Sequence, residues 1–494
     1  MDALQALLSV RDRGVDVWVE NGQLRFQAPK GALRPEDMQQ LRALKQEIVA
    51  LMTGEAAEFG IPLERRRETD VVPWTAFQQS VGYLTAQGSG PHPRVHAFAV
   101  RIDGELRVDI LEAALQRVSA RHEILRTRLT WHNGYPVQCI DPFEPEPLIQ
   151  VDLSREAGAT VGRLERTLDA FLNTRVQAEE GPLSDARLIR LSRSDYVLVV
   201  SLDSMITDCK SNELLLREIW DMYARVARGQ GVETQAPGLQ FSDYAVWLHK
   251  VRAPWNNLHA AYWQARFPDS QSVNEAPASR TAHRESVDNQ SVPVSFGEEV
   301  IAGLLQFARG RQIYPAVIVL TAAVSALSLW RGREDLTVMV VDSGRYRPEL
   351  QSMIGPIVQR LFLRVVLSTG QTLAELLRRT NQELGNSRQH RDFNWMLSQR
   401  PRLPTDLYFN WVTSHDESLP PADAQVSDLG IRLRTQPLSM VRQPLPSFGL
   451  IFRRDTRLAG YLAYDPTQYT QSELSEFVSL LTLQLQRIVT SHDE

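Results

Sequence analysis

The sequence predicts an α/β protein of three units: a small αββα module at the N-terminus, then two lobes of alternating strands and helices. Three observations carry this reading. A hairpin signal sits between two helical patterns in residues 1–52. From about residue 68 strand and helix patterns alternate without a glycine-rich phosphate loop. A long polar stretch poor in large apolar side chains then divides that region in two. The 494 residues are too many for one average domain, and 43% hydrophobic residues supply a sizeable core.

The elements follow in chain order. Leu4, Leu7 and Leu8 give residues 2–13 a helical period, and "VDVWVENGQLRFQA" reads as two strands around the Asn21-Gly22 turn, a strong hairpin signal. A single helix from Pro35 to Met52 is predicted next, with Leu41, Leu44, Ile48 and Leu51 on one face. Residues 1–55 form this first unit, and 56–69 are a charged linker. The first lobe spans 70–266, a polar connection 267–291, and the second lobe 292–494. Two halves joined by an exposed link invite a cleft between them.

Composition excludes several classes. A formal charge of −5, with no long basic run, gives no footprint for nucleic acid or an anionic membrane. Cys139 and Cys209 are the only cysteines and lack metal-site or disulfide spacing, so no metal site is expected and a reducing cytoplasm fits. No apolar stretch approaches the roughly 20 residues that span a bilayer.

The segment "SLDSMITDCKS", residues 201–211, holds the chemistry-bearing pattern. A predicted strand, Tyr196 to Leu202, precedes it and an amphipathic helix, Asn212 to Arg228, follows, so Asp203, Asp208 and Ser211 occupy a strand-to-helix turn. Asp208 is placed to cap the helix. Ser211 reads as a local hydrogen-bonder, since nothing like GxSxG surrounds it. Asp203 either shapes the loop or takes part in chemistry, and Cys209 has no histidine nearby to activate it.

Two resemblances organise these observations. "LLSVRDRGVDVWVENGQLRFQAPKGAL" followed by "LRALKQEIVALM" resembles the N-terminal docking domains of the tubulysin-synthetase type. That resemblance implies a C-terminal docking peptide of an upstream synthase subunit as partner, received at the hairpin edge. "PWTAFQQSVGYL", "LEAALQRVSARHEILRTRL", "GPLSDARLIRLS", "FSDYAVWL", "VVDSGRYRPELQSMIGPIVQRLFLRV" and "HRDFNWML" resemble, in order, the motifs of condensation-type domains of nonribosomal peptide synthetases. The implied fold is a V-shaped, chloramphenicol-acetyltransferase-like pair of lobes around a central tunnel. Upstream and downstream carrier proteins would feed it with substrates on phosphopantetheine, and the chain itself would bind no cofactor.

Ordinary condensation domains carry HHxxxDG at this turn, and here Asp203-Ser204 stand where the histidines belong. Asp203, Asp208 and Ser211 instead satisfy DxxxxDxxS, the signature of the heterocyclization subfamily. Its members condense an acyl thioester with carrier-bound cysteine, serine or threonine and cyclodehydrate the product to a thiazoline or oxazoline. In related domains the second aspartate pairs with an arginine, for which Arg121, Arg126 and Arg345 are the candidates.

The second lobe departs from that subfamily. "LYFNWVTS" offers either Asn410 or Thr413 at the position of the working threonine, with Thr413 preferred, and Arg442 stands near the expected aspartate, where it cannot act as a base. Asp416 and Asp465 read as loop residues. The expected function is therefore heterocyclization, with Asp203, Thr413 and Asn410 as candidate catalytic residues. The alternatives are amide formation without ring closure and a noncatalytic domain that recruits a carrier or tailoring enzyme.

Overall fold

The computed structural model describes residue 10 and residues 15–20, 23–27, 33–52, 62–86, 92–93, 96–154, 160–230, 236–252, 256–267, 290–391, 405–412, 426–436, 448–454 and 458–490. In the N-terminal module, strands Asp16–Glu20 and Gln23–Gln27 pair antiparallel with Glu20 opposite Gln23, the register a two-residue turn requires. The turn itself, Asn21-Gly22, lies outside the described residues, as do residues 2–9 and 11–13 of the first predicted helix. The single helix expected over 35–52 is two, Pro35–Ala43 and Lys45–Met52. Leu44, at φ −98° and ψ 14°, leaves the helical basin, while Leu41 and Ile48 on either side stay buried.

The first lobe is built on a five-stranded sheet. Its order is Arg432–Thr435, His96–Asp103, Asp195–Leu202, Ser184–Arg190, Ile149–Asp152, antiparallel except for the last pair. Alternation along Asp195–Leu202 sends Leu198, Val200 and Leu202 into one core, with Leu111, Val118, Leu215 and Trp220 from helices Val108–Arg121 and Cys209–Ala227. Val197 and Val199 face the other way, against Leu164, Leu168 and Phe171 of helix Thr160–Leu172.

The second lobe carries a six-stranded sheet in the order Gln290–Ser295, Leu458–Tyr464, Phe448–Arg454, Leu407–Val412, Asp335–Asp342, Gln359–Val366. One face, with Val338, Leu361, Leu363, Leu407, Phe409 and Leu450, is covered by helices Glu298–Arg311, Pro315–Arg331 and Gln471–Thr490. The apolar run "AVIVLTAAVSAL" belongs to this core and is buried along its whole length.

The lobes interlock. Strand Arg432–Thr435 crosses to extend the first lobe's sheet beside His96–Asp103, and Leu350, Met353, Ile354 and Ile357 from the second half join the first lobe's core.

Candidate active site

Strand Asp195–Leu202 delivers the chain to the loop 203–208, and helix Cys209–Ala227 carries it away. Asp203 is completely buried: its backbone N–H donates to the Leu183 carbonyl and its Oδ1 accepts from the Met205 N–H, both at 2.8 Å. This carboxylate folds its own loop. From the other side, Gln78 of helix Ala76–Ala86 donates to the Met205 carbonyl at 2.9 Å, so the first helix of the lobe pins the same turn.

Asp208 caps the helix as its position predicts, accepting from the Ser211 N–H at 2.7 Å. The same carboxylate accepts from Arg345 Nη2 at 2.9 and 3.1 Å, from Ile357 N–H at 3.0 Å and from Val358 N–H at 3.3 Å. The Ser211 hydroxyl donates to the Gly355 carbonyl at 2.8 Å and accepts from Gly355 N–H at 3.0 Å and Arg345 Nη2 at 2.9 Å. Arg345 Nη1 donates to the carbonyls of Leu350 and Met353. Together these bonds tie the start of a first-lobe helix to the segment 345–358.

Two glycines make the approach possible. At Gly344, with φ +66°, a Cβ would lie 2.1 Å from the Ile357 carbonyl oxygen, and at Gly355, with φ +155°, it would lie 2.3 Å from the Phe241 ring. Of the three arginines considered for Asp208, only Arg345 reaches it. Arg121 instead lies 2.9 Å from the Glu218 carboxylate, and Arg126 donates to the Asp141 carbonyl. Arg121 ends helix Val108–Arg121, and Arg126 ends the 3-10 turn Glu123–Arg126 that follows it.

Opposite this loop stands the other face of the second lobe's sheet. Cross-strand register aligns Arg360, Val341, Asn410, Ile451 and Tyr461 in one row, with Phe362, Met339, Tyr408, Gly449 and Ala463 in the next. All point away from the core of helices Glu298–Arg311, Pro315–Arg331 and Gln471–Thr490 by the period of two. Asn410 is on this face and donates to the Tyr408 hydroxyl at 3.5 Å, while Phe409 between them is core. Thr413, Ser414, Asp416 and Arg442 lie outside the described residues, as does most of "HRDFNWML". Asp465 accepts from the Thr467 N–H and hydroxyl and from Gln468, shaping its own turn.

The two halves of the site meet through side chains. Arg360 lies over the Phe77 ring at 5.1 Å and donates to the Ser80 hydroxyl at 3.3 Å, both on the first lobe's helix Ala76–Ala86. Burial raises the Tyr408 pKa well above a free phenol, against the opposing pull of Arg360, and Cys209, the first residue of the helix after the loop, adds to the rise. Tyr408 is therefore a protonated hydroxyl between the lobes.

His96 is a residue that sequence reasoning missed. It opens strand His96–Asp103 opposite Leu202, beside the loop that begins at Asp203. Burial pushes its imidazole below the usual value, and the opposing pull of Asp208 and Asp203 does not cancel that. Near neutral pH it is uncharged and able to accept a proton. Its only sequence signal is one polar residue at the head of the alternating run "HAFAVRID".

Comparison with known proteins agrees with this architecture. The condensation-domain family model matches residues 68–402, and the TubC N-terminal docking-domain model matches residues 5–53. A linear gramicidin synthase of Brevibacillus parabrevis is 28% identical over 303 residues, 60% of this chain and 6% of that protein. Malpinin synthetase of Mortierella alpina is 23% identical over 440 residues, 87% of this chain and 6% of that protein. The chain thus spans a small fraction of the length of either relative.

Among solved structures, the X-domain from teicoplanin biosynthesis in complex with OxyB superposes with a TM-score of 0.72 at 22% identity, covering 87% of this chain and 95% of that one. The EpoB cyclization-docking bidomain from Sorangium cellulosum gives 0.67 at 18% identity, covering 99% of both. At such identities these likenesses show a shared fold. The two-lobed architecture, the ordered motifs and the length of the family match place this chain in the condensation-domain family, behind a TubC-type N-terminal docking domain.

Proposed function

We propose that the chain joins a carrier-bound acyl or peptidyl thioester to an amine acceptor between its lobes, forming an amide without closing a ring. The observation that carries this reading is the pair of rows facing the first lobe. They present Tyr408, Asn410 and Arg360 and contain no carboxylate. Ring closure and dehydration need a base for the second nucleophile and an acid for the departing hydroxyl. Asn410, on this face, is neither. The DxxxxDxxS residues that favoured heterocyclization are engaged in holding the loop and the lobes.

In the amide-forming step the acceptor nitrogen attacks the thioester carbonyl, the C–N bond forms, the C–S bond breaks, and the proton lost by nitrogen ends on the departing thiolate. Neutral His96 is our candidate to receive that proton in transit, and the Tyr408 hydroxyl to donate to the developing oxyanion. Positioning both tethered partners supplies most of the acceleration, as in oriented intramolecular reactions worth about 7 to 11 kcal/mol. The N-terminal hairpin would receive the C-terminal peptide of an upstream subunit.

A second reading, noncatalytic recruitment of a tailoring enzyme, is favoured by Ser204 in the place of a histidine and by the fold shared with an X-domain whose structure includes OxyB. One experiment separates the readings. The chain is mixed with a donor carrier bearing an acyl group and an acceptor carrier bearing cysteine, and the acceptor's intact mass is read. A gain of the full acyl mass supports amide formation, a product lighter by one water supports heterocyclization, and an unchanged acceptor supports recruitment.

A further inference from the structure

Several arginines around the lobe junction are paired with carboxylates. Arg345 meets Asp208 at 2.9 Å, Arg388 meets Asp342 at 2.8 Å, and Arg364 meets Asp335 at 2.7 Å. Arg360 breaks the pattern. It shares a strand and a face with Arg364, yet among the described residues its polar contact is the Ser80 hydroxyl at 3.3 Å, and its nearest ring is Phe77. It is enclosed between the lobes but keeps part of its surface accessible, so it lines a recess instead of filling one.

The groups described around this cation are neutral hydroxyl, amide and apolar side chains. Along the same face lie the Tyr408 hydroxyl and the Asn410 amide, with Phe362 beside them and Ser80 across the gap. Burial holds the Arg360 pKa below its usual value, and Tyr408 is the group that pulls it back. An arginine at such depth remains protonated in practice. A desolvated guanidinium with most of its five N–H donors uncommitted is a receptor for a planar anion, which it can hold by two parallel hydrogen bonds.

We propose that Arg360, with Tyr408, binds a carboxylate carried by the substrate, so that the site selects an acyl or aminoacyl group bearing a free acid near its reacting end. This rests on the reading of the recess as the place where substrate ends meet. The phosphate of a phosphopantetheine arm is the other anion that could reach a tunnel. It is attached to the carrier at the opposite end of the arm from the thioester, which places it away from the reacting end and leaves the recess to the substrate.

The test is calorimetric and uses the whole chain without an acceptor. Succinyl-pantetheine is compared with its carboxamide analogue, in wild type, Arg360→Gln and Arg360→Lys, with the melting temperature of each variant confirming that it is folded. The acid should bind about tenfold or more tighter than the amide in wild type. That preference should disappear in Arg360→Gln and survive in part in Arg360→Lys. Equal binding of acid and amide by wild type, or a preference that persists in Arg360→Gln, overturns the proposal. In a parallel arm, 4′-phosphopantetheine is compared with pantetheine. If Arg360→Gln abolishes a preference for the phosphate, the anion is that of the arm and the substrate assignment falls. Because binding is read without turnover, a chain that selects the acid yet transfers nothing refutes acyl transfer and not this site.

Discussion

The Asp208 carboxylate and the Arg345 guanidinium lie 137 residues apart in the chain and meet at 2.9 Å, each side chain no more than 5% exposed. The pair joins a helix cap in the first lobe to a turn that the second half contributes. A buried pair of this kind costs much to desolvate, and its further bonds to Ser211, Ile357, Leu350 and Met353 offset that cost. Removing one partner leaves the other as an uncompensated charge. Arg345→Met should therefore lower stability by about 3 to 5 kcal/mol, and a double variant with Asp208→Leu should be less destabilised than the sum of the singles. Chemical denaturation of all four proteins gives the coupling.

Gly355 tests the same junction sterically. A methyl group there meets the Phe241 ring at 2.3 Å, on a backbone of φ +155°. Gly355→Ala should cost about 1 to 3 kcal/mol and should be partly rescued by Phe241→Leu, read from melting temperatures.

The pair Arg434 and Asp103, at 2.7 Å where strand Arg432–Thr435 crosses to the first lobe, is a contrasting case. Its side chains are 55% and 35% exposed. Solvent screens such a pair, so Arg434→Ala should change stability by no more than about 1 kcal/mol although the contact also spans the two halves.

Acid should destabilise the protein through His259. This imidazole is buried, lies 3.0 Å from His390, and is pushed down to about 3 by burial, with Arg252 and Arg391 adding to the shift. The unfolded chain takes up its proton near pH 6.5 and the folded chain does not, so stability from this group is complete above that value and is lost as pH falls toward 3. At about pH 4.5 the loss amounts to roughly 2 to 3 kcal/mol. His259→Asn should flatten the stability profile over that window, which denaturation at stepped pH measures.

Deleting residues 1–55 should leave the two lobes folded with an unchanged melting transition, because the described core of the module, Val10, Val15, Leu41 and Ile48, is local. Calorimetric binding of an upstream subunit's C-terminal peptide should be lost with the module.

What could be read in the sequence follows the range of the forces involved. The hairpin register, the strand before Asp203 and the cap at Asp208 depend on neighbours within a few residues, and they appear as expected. The family resemblance supplied the two-lobed fold. Arg345 could not be distinguished from Arg121 and Arg126, because the choice is made by a chain return far along the sequence. Strand Arg432–Thr435 is four residues long and carries no sign that it pairs in the other lobe's sheet. His96 was invisible for a related reason: its place beside the loop is set by cross-strand register with Leu202, which no local pattern records.

The central claim is that Asp203, Asp208 and Ser211 hold the loop and the lobes while the transfer chemistry is done by groups facing them. Asp208→Asn tests it most directly, since the amide keeps the shape of the cap and removes the charge that balances Arg345. Melting temperature and single-turnover transfer between loaded carriers are measured together, the latter well below the transition. The account predicts a clear fall in melting temperature with transfer by the folded protein retained within about tenfold, a barrier change near 1.4 kcal/mol. An unchanged melting temperature with transfer abolished would contradict it and return Asp208 to the chemistry.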